Sequence, residues 1–233
     1  MAAVHFIHIG KTGGTAIKGA LKAAGRPKTR YGKPLLHPHR YRLADVPDED
    51  YAFFVMRDPV ARFVSAFYSR LRRGYPRYNF EWTPAEEEVF QIFKTPQDLA
   101  AGLGAPDPSQ RDAARGAMRS IRHVRRKVAF WLGTPRTFQR RLPKIVYIAR
   151  QETLTHEWPQ MKDVLGLPSD LELPTEAVAA HKGDYSAEDR SLTEEAERAL
   201  VRWYAEDYRL LEMCERIRQE RGWSPALEHA TRR

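Results

Sequence analysis

VHFIHIGKTGGTAIK, residues 4–18, decides how the rest of the chain is read. Val4 to Ile9 is an apolar run of the kind that forms a buried strand, and it stops at Gly10. Lys11-Thr12-Gly13-Gly14-Thr15 follows. A helical pattern then runs from about Thr15 to Ala24, closed by Gly25 and Pro27. A strand, a tight Gly-rich turn and a helix start together make an anion cradle. The turn presents backbone N–H groups, and the helix N-terminus adds partial positive charge. Gly13 and Gly14 permit φ > 0 and close approach of a ligand. Lys11 adds a cation, and Thr12 and Thr15 add hydroxyls. The plainer alternative is an ordinary strand–turn–helix with a surface lysine. The spacing is not that of a Walker A loop, which needs Gly, four residues, then Gly-Lys-Ser/Thr. Here Gly10-Lys11-Thr12 precedes the glycine pair, and position 5 is His5.

A second unit of the same kind lies downstream. Tyr51 to Met56, YAFFVM, reads as a central parallel strand because nearly every residue is apolar. It ends in Arg57-Asp58-Pro59. Val60 to Arg73 then carries Phe63, Val64, Phe67, Tyr68 and Leu71 at helical spacing, with Pro59 suited to the first helical position. Lys144 to Ala149, KIVYIA, is a third buried strand. Strands alternating with helices indicate an α/β fold with a central, mostly parallel sheet. Polar groups cluster at the carboxyl ends of the strands, where open α/β sheets place ligands.

Between these strands the chain reads as a helical insertion over about 74–132. Thr83 to Glu86 is a capping box, and Thr95-Pro96 starts a further short helix. Gln110 to Leu132 reads as one amphipathic helix. Arg111, Arg115, Arg119, Arg122 and Arg126 form one face; Ala114, Ala117, Met118, Ile121, Val124 and Val128 form the other. Lys28 to Arg42 is basic and irregular, with Pro34, Pro38 and the triplet His37-Pro38-His39. Thr155 is read as the cap of a helix containing Trp158. His181 lies in a polar loop, and Ser191 to Glu194 is read as a capping box opening a long helix with Leu200, Trp203, Tyr204, Tyr208 and Leu211 on its core face.

Composition narrows the function classes. The chain has 233 residues, enough for one domain with an inserted subdomain, and 42% hydrophobic residues, enough for a full core. Thirty-nine Lys and Arg against 30 Asp and Glu leave a formal charge of +9, which implies an anionic ligand, substrate or surface. Cys214 is the single cysteine, so no intrachain disulfide forms, and a reducing, cytoplasmic setting is expected. No secretory pattern precedes the first strand. No apolar run approaches the roughly 20 residues of a membrane span. No cluster has zinc-ligand spacing, so no metal is expected.

Two separated segments resemble one family. FIHIGKTGGTAIK is similar to the 5′-phosphosulfate loop of the sulfotransferases that use 3′-phosphoadenosine-5′-phosphosulfate (PAPS). FFVMRDPVARFVSAFYSRL is similar to their 3′-phosphate motif, a strand, Arg-Asp-Pro and a helix carrying a serine; here these are Arg57 and Ser65. The lysine-type loop and the Arg-Asp-Pro form look most like the carbohydrate branch, which includes the heparan uronyl 2-O-sulfotransferases. IVYIARQETL, LGLP and WYAEDYRLL look like its bacterial members. The resemblance implies one sulfotransferase domain over 1–233, with a P-loop-like three-layer α/β fold and no ATP hydrolysis. It implies that Arg57 and Ser65 hold the 3′-phosphate, while Lys11 and the backbone of Thr12, Gly13, Gly14 and Thr15 hold the 5′-phosphosulfate. Arg62 pairs either with the cofactor or with Asp58.

Sulfuryl transfer needs an acceptor held in line and stabilisation of the charge that develops on the leaving phosphate. Lys11 suits the second task. A histidine suits proton removal from the acceptor hydroxyl. His37-Pro38-His39 resembles the His-x-His of the uronyl enzymes, with His39 the closer match and His37 next; His5 and His8 read as structural. The expected acceptor is a carbohydrate or another small or lipid-linked alcohol. Arg115, Arg119, Arg122, His123 and His181 are candidates to meet it and favour an anionic one. No nucleic acid partner is expected. Two other readings compete: a P-loop kinase acting on a small molecule, with Asp58 ending a Walker B-like strand, and a basic anion-binding module without catalysis, whose affinity falls steeply with salt.

Overall fold

The computed structural model describes residues 2–75, 78–174 and 190–223. In chain order the elements are β1 (Ala3–Ile7), α1 (Gly14–Ala23), β2 (Lys33–Leu36), β3 (Tyr51–Met56), α2 (Pro59–Leu71), α3 (Pro84–Ile92), α4 (Pro96–Gly104) and α5 (Pro108–Ser120). They continue as α6 (Ala129–Leu132), α7 (Pro135–Arg141), β4 (Ile145–Arg150), α8 (Leu154–Leu165), α9 (Glu194–Trp203) and α10 (Ala205–Glu220). The described residues fall into two compact units, one built from 2–57, 130–174 and 209–223, the other from 58–129 and 190–208.

The first unit carries the sheet. Its four strands are all parallel in the order β2-β1-β3-β4. This is an α/β protein of the P-loop-like three-layer kind. The apolar runs become strands because both sheet faces are covered: Val4, Phe6 and Ile7 of β1, Ala52 to Met56 of β3 and Ile145 to Ala149 of β4 are buried. The chain leaves β1 for β2 on one side and reaches β3 on the other, so the strand order reverses at β1. The carboxyl ends of β1 and β3 therefore flank a topological switch point, where ligands bind in such sheets.

Beneath β4 the unit holds a buried ion pair. Arg218 Nη2 and Nη1 donate to the two Glu157 oxygens at 2.8 and 2.9 Å, and Nη1 also donates to the Ile148 carbonyl at 2.6 Å. The α8 carboxylate thereby ties α10 to the strand. Burial of these charges is tolerable because the pair is bidentate and hydrogen-bonded.

The second unit is helical and holds α2 to α5 and α9. Phe63 and Phe67 of α2, Phe90 of α3, Met118 of α5 and Tyr204 pack in one cluster. Thr83 and Thr95 cap α3 and α4 through full capping boxes, as their sequence signatures require.

Four expectations change. Lys33 to Leu36 is an edge strand rather than irregular chain. Pro34 is tolerated there because β2 pairs on one side only. The helix read over 110–132 runs only from Pro108 to Ser120 and stops without Gly or Pro at an extended Ile121. Tertiary bonds take over the next backbone groups: Glu86 Oε1 accepts Arg122 N–H at 2.9 Å, Arg62 donates to the carbonyl of Arg126 at 2.7 Å, and Asp207 Oδ1 accepts Val128 N–H at 2.9 Å. Ile121, Val124 and Val128 remain buried, as the apolar pattern demands. The helix after Ser191 is capped by Thr193, whose hydroxyl accepts Ala196 N–H at 3.3 Å, and it divides at Tyr204, where Lys127 Nζ takes the Trp203 carbonyl at 2.8 Å. Finally, α8 begins at Leu154 with Thr153 at its N-cap, ahead of Thr155.

Candidate functional site

The β1–α1 loop has the features of an anion cradle. Gly13 is the N-cap of α1 in left-handed backbone, φ +82°, and gives no side-chain cap; the first turn holds no acidic residue. The N–H groups at the start of α1 thus face no carboxylate from the first turn of their own helix. Lys11 is also left-handed, φ +70°. For a non-glycine residue this costs about 1–3 kcal/mol and is typical of ligand clamps. Thr12 is buried, and its hydroxyl donates to the Ile9 carbonyl at 3.0 Å, which commits the hydroxyl hydrogen within the loop. Thr15 is half-buried on the first turn.

Two glycines are required here for different reasons. Gly13 needs its backbone conformation. Gly14 needs its missing side chain: a Cβ there would lie 2.4 Å from Cδ2 of the buried His8 ring and 3.1 Å from Phe6. Gly14→Ala is therefore expected to cost about 1–3 kcal/mol by overpacking, read as a lower urea midpoint at unchanged slope.

Arg57, at the end of β3, meets this loop. Its Nη1 donates to the Lys11 carbonyl at 3.1 Å. A guanidinium and a lysine-bearing cradle thus converge from two strand ends of the first unit. Asp58 serves as the N-cap of α2: Oδ1 accepts Ala61 N–H at 2.7 Å, and Oδ2 accepts the Tyr208 hydroxyl at 3.0 Å. Burial, then the nearby carboxylate, pushes the Tyr208 phenol up. Arg62 is fully buried, and its guanidinium donates to the Arg126 carbonyl at 2.7 Å, past the end of α5.

The histidine turn belongs to the same unit as the cradle. His39 is exposed; its ring lies 3.8 Å from the His8 ring, and its Nδ1 donates to the His8 carbonyl at 3.2 Å. In the neutral ring that leaves the lone pair on Nε2, the form a general base requires. Trp131 Nε1 donates to the His39 carbonyl at 2.7 Å. A Cβ at Gly10 would lie 3.7 Å from the Trp131 ring and 4.0 Å from His39 Nδ1, which places His39 beside the start of the loop. His37 points elsewhere: its Nε2 lies 3.0 Å from His5 Nδ1. Burial, followed by the proximity of His5 and Lys18, pulls His37 down to about 4.

Ser65 is buried in α2 of the second unit. Arg115 and Arg119 are exposed on α5, whereas Arg122 and His123 lie past its end, so the predicted single stripe is broken. Arg119 stands over the Trp203 ring at 5.8 Å and Arg122 over Phe80 at 5.4 Å. His181 lies outside the described residues.

Sequence reasoning missed Trp131, which braces both Gly10 and His39, and Gln151 and Leu154, which wall Gly13 at 3.4 and 3.3 Å from a Cβ built there. No local pattern marks them, because they reach the loop from β4, α6 and α8. Among the described residues no His, Cys, Asp and Glu group suited to a metal ion occurs, and no helix is long and apolar enough to cross a membrane.

A family model described as Sulfotransferase family (Sulfotransfer_2) matches residues 3–212, spanning both units. No curated protein matches the chain.

Proposed function

Because this chain belongs to the sulfotransferase family, we propose that it uses PAPS as donor and sulfates an acceptor hydroxyl, in the manner of the bacterial uronyl 2-O-sulfotransferase branch. PAPS supplies the sulfuryl group when bound. The observation that carries the donor assignment is the meeting of Arg57 with the Lys11 loop, 3.1 Å from Nη1 to carbonyl, at the switch point of the sheet. A donor with one phosphate group at each end of a nucleoside needs two such cationic positions.

In this reading the N–H groups of Thr12 to Thr15 take the 5′ group, helped by the α1 terminus. Arg57, with Ser65, takes the 3′-phosphate through a bidentate guanidinium. Lys11 stabilises charge on the leaving phosphate. His39 Nε2 removes the acceptor proton. The acceptor is a carbohydrate or another small or lipid-linked alcohol, and the exposed Arg115, Arg119 and Arg122 favour an anionic one.

Thermal unfolding with nucleotides tests the donor. Adenosine 3′,5′-bisphosphate at about 100 times its Kd adds roughly 2.7 kcal/mol. ADP, which lacks the 3′-phosphate, adds much less, and Arg57→Ala erases the difference. Equal stabilisation of the unaltered protein by both nucleotides would overturn the assignment and favour the kinase reading.

A further inference from the structure

Behind the histidine turn runs a line of polar side chains that none of the roles above uses. Asp50, just before β3, accepts Ala3 N–H on Oδ1 at 2.7 Å, and its Oδ2 lies 2.9 Å from His5 Nε2. His5 sits in β1 and is 3% exposed. An ionised carboxylate only accepts hydrogen bonds, so His5 Nε2 carries the hydrogen and the neutral ring offers its lone pair at Nδ1. Two groups converge on that nitrogen: His37 Nε2 at 3.0 Å and Tyr41 Oη at 2.9 Å. The Tyr41 hydroxyl also donates to the Asp45 carbonyl at 2.8 Å. The His37 N–H is therefore the donor that engages His5 without competition.

The rings reinforce this arrangement. His37 and Tyr41 stack at 3.5 Å with 7° between planes, and His5 lies within 12° of each. Lys18 Nζ donates to the His37 carbonyl, and Tyr41 N–H closes the turn onto the Pro38 carbonyl at 3.1 Å. His39 lies between His37, which bonds to His5, and Tyr41, which stacks on His37 and donates to the Asp45 carbonyl, so both flanks of the turn that carries it are held. Apolar packing would cover this side of the turn equally well. A line of hydrogen bonds reaching a carboxylate, with its desolvation cost, adds direction instead.

We propose that Asp50 and His5 are positioning residues: through the acceptor His5 Nδ1 they hold His37, and with it the Tyr41 ring stacked on it, and so aim His39. The functional meaning rests on the reading of His39 as the base. Burial, which alone would raise the Asp50 carboxyl, is outweighed by the Ala3 N–H and His5, so Asp50 is held low and ionised. His37, pulled down to about 4, is neutral near pH 7, and the lone pair on His5 Nδ1 places its single hydrogen on Nε2.

Asp50→Asn tests this with little change in volume. One terminal atom of the amide is a donor, so it opposes either Ala3 N–H or His5 Nε2–H. Relief requires His5 to move its hydrogen to Nδ1, against His37 Nε2. In protein labelled with [15N]histidine, the ring resonances of His39, identified by their loss in His39→Ala, are expected to shift in Asp50→Asn, although Asp50 makes no bond to His39. With methyl glucuronide as the alcohol acceptor, kcat is expected to fall about 10- to 100-fold, the range for groups that orient a functional histidine, with KM little changed. In a His39→Ala background the same substitution is expected to cost nothing more, since residues acting as one unit are not additive. Unmoved His39 resonances in folded Asp50→Asn, or an equal kcat loss in both backgrounds, would overturn the proposal. If Asp50→Asn does not fold, His37→Phe keeps a ring in the stack and removes the bond to His5 Nδ1; an unmoved His39 in that variant likewise overturns it. A harmless His39→Ala removes the base reading instead, and the resonance shift still decides whether Asp50 and His5 aim that side chain.

Discussion

Lys11→Ala and His39→Ala are expected to fail in different ways, and the difference separates leaving-group from proton chemistry. Lys11 acts on the leaving phosphate in the proposed mechanism. Its loss should lower kcat by about 10²- to 10³-fold with any acceptor, the cost of removing one group that stabilises developing charge. His39 acts only on the acceptor hydroxyl. Its loss should cost about 10²- to 10⁴-fold with an aliphatic alcohol such as methyl glucuronide. With a phenol such as 2-naphthol, whose hydroxyl ionises near pH 10 like that of tyrosine, the loss should shrink. Bisphosphate binding should survive His39→Ala, because in the proposed mechanism His39 holds neither phosphate; its ring lies 3.8 Å from the His8 ring and its Nδ1 donates to the His8 carbonyl. The measurement is kcat for both variants with both acceptors, beside bisphosphate binding. If His39→Ala keeps near-full rate with the alcohol, the base lies elsewhere and His37 is next to test.

The largest stability effect is expected in the second unit, at Arg70 and Glu86. Both side chains are buried, and Arg70 donates to the two carboxylate oxygens at 2.8 and 2.7 Å. The same carboxylate accepts Thr83 N–H at the start of α3 and Arg122 N–H where the chain leaves α5. Glu86→Ala strands the buried guanidinium and releases both backbone groups. A loss of about 3–5 kcal/mol follows from leaving one buried charge unpaired.

The pH dependence of this pair has a definite sign. Burial alone would raise the Glu86 carboxyl, but Arg70 and the two backbone N–H groups reverse that and hold it down to about 2. A depressed folded-state value means that the unfolded chain takes up the proton first. The contribution is therefore complete above about pH 4.5 and is lost as pH falls towards 2. Urea unfolding at pH 7 and pH 3 should show wild-type protein losing more stability on acidification than Glu86→Gln. Equal losses would mean that Glu86 is not the group titrating in that window.

Sequence alone determined the parts of this protein that depend on neighbours along the chain. Tyr51 to Met56 and Ile145 to Ala149 are nearly all apolar on both faces and Val4 to Ile7 is apolar but for His5, so they read as covered strands, and the glycines after β1 mark the turn whose backbone they permit. Pro59 after Asp58, and Thr83 three residues before Glu86, set helix starts by local bonding. The cradle and the sulfotransferase resemblance were legible for the same reason: a strand, a turn and a helix start are contiguous. Tertiary structure decided the rest. It stopped α5 at Ser120, because Glu86, Arg62 and Asp207 offer the following backbone better partners than another helical turn would. It made Lys33 to Leu36 an edge strand, because β1 had an open side. It buried Arg62 and set its guanidinium against the Arg126 carbonyl, 64 residues on. It joined Asp50 to His5 and Trp131 to His39, pairs 45 and 92 residues apart. A hydrogen bond depends on where two groups lie in space, and for groups so far apart in sequence no periodicity records that position.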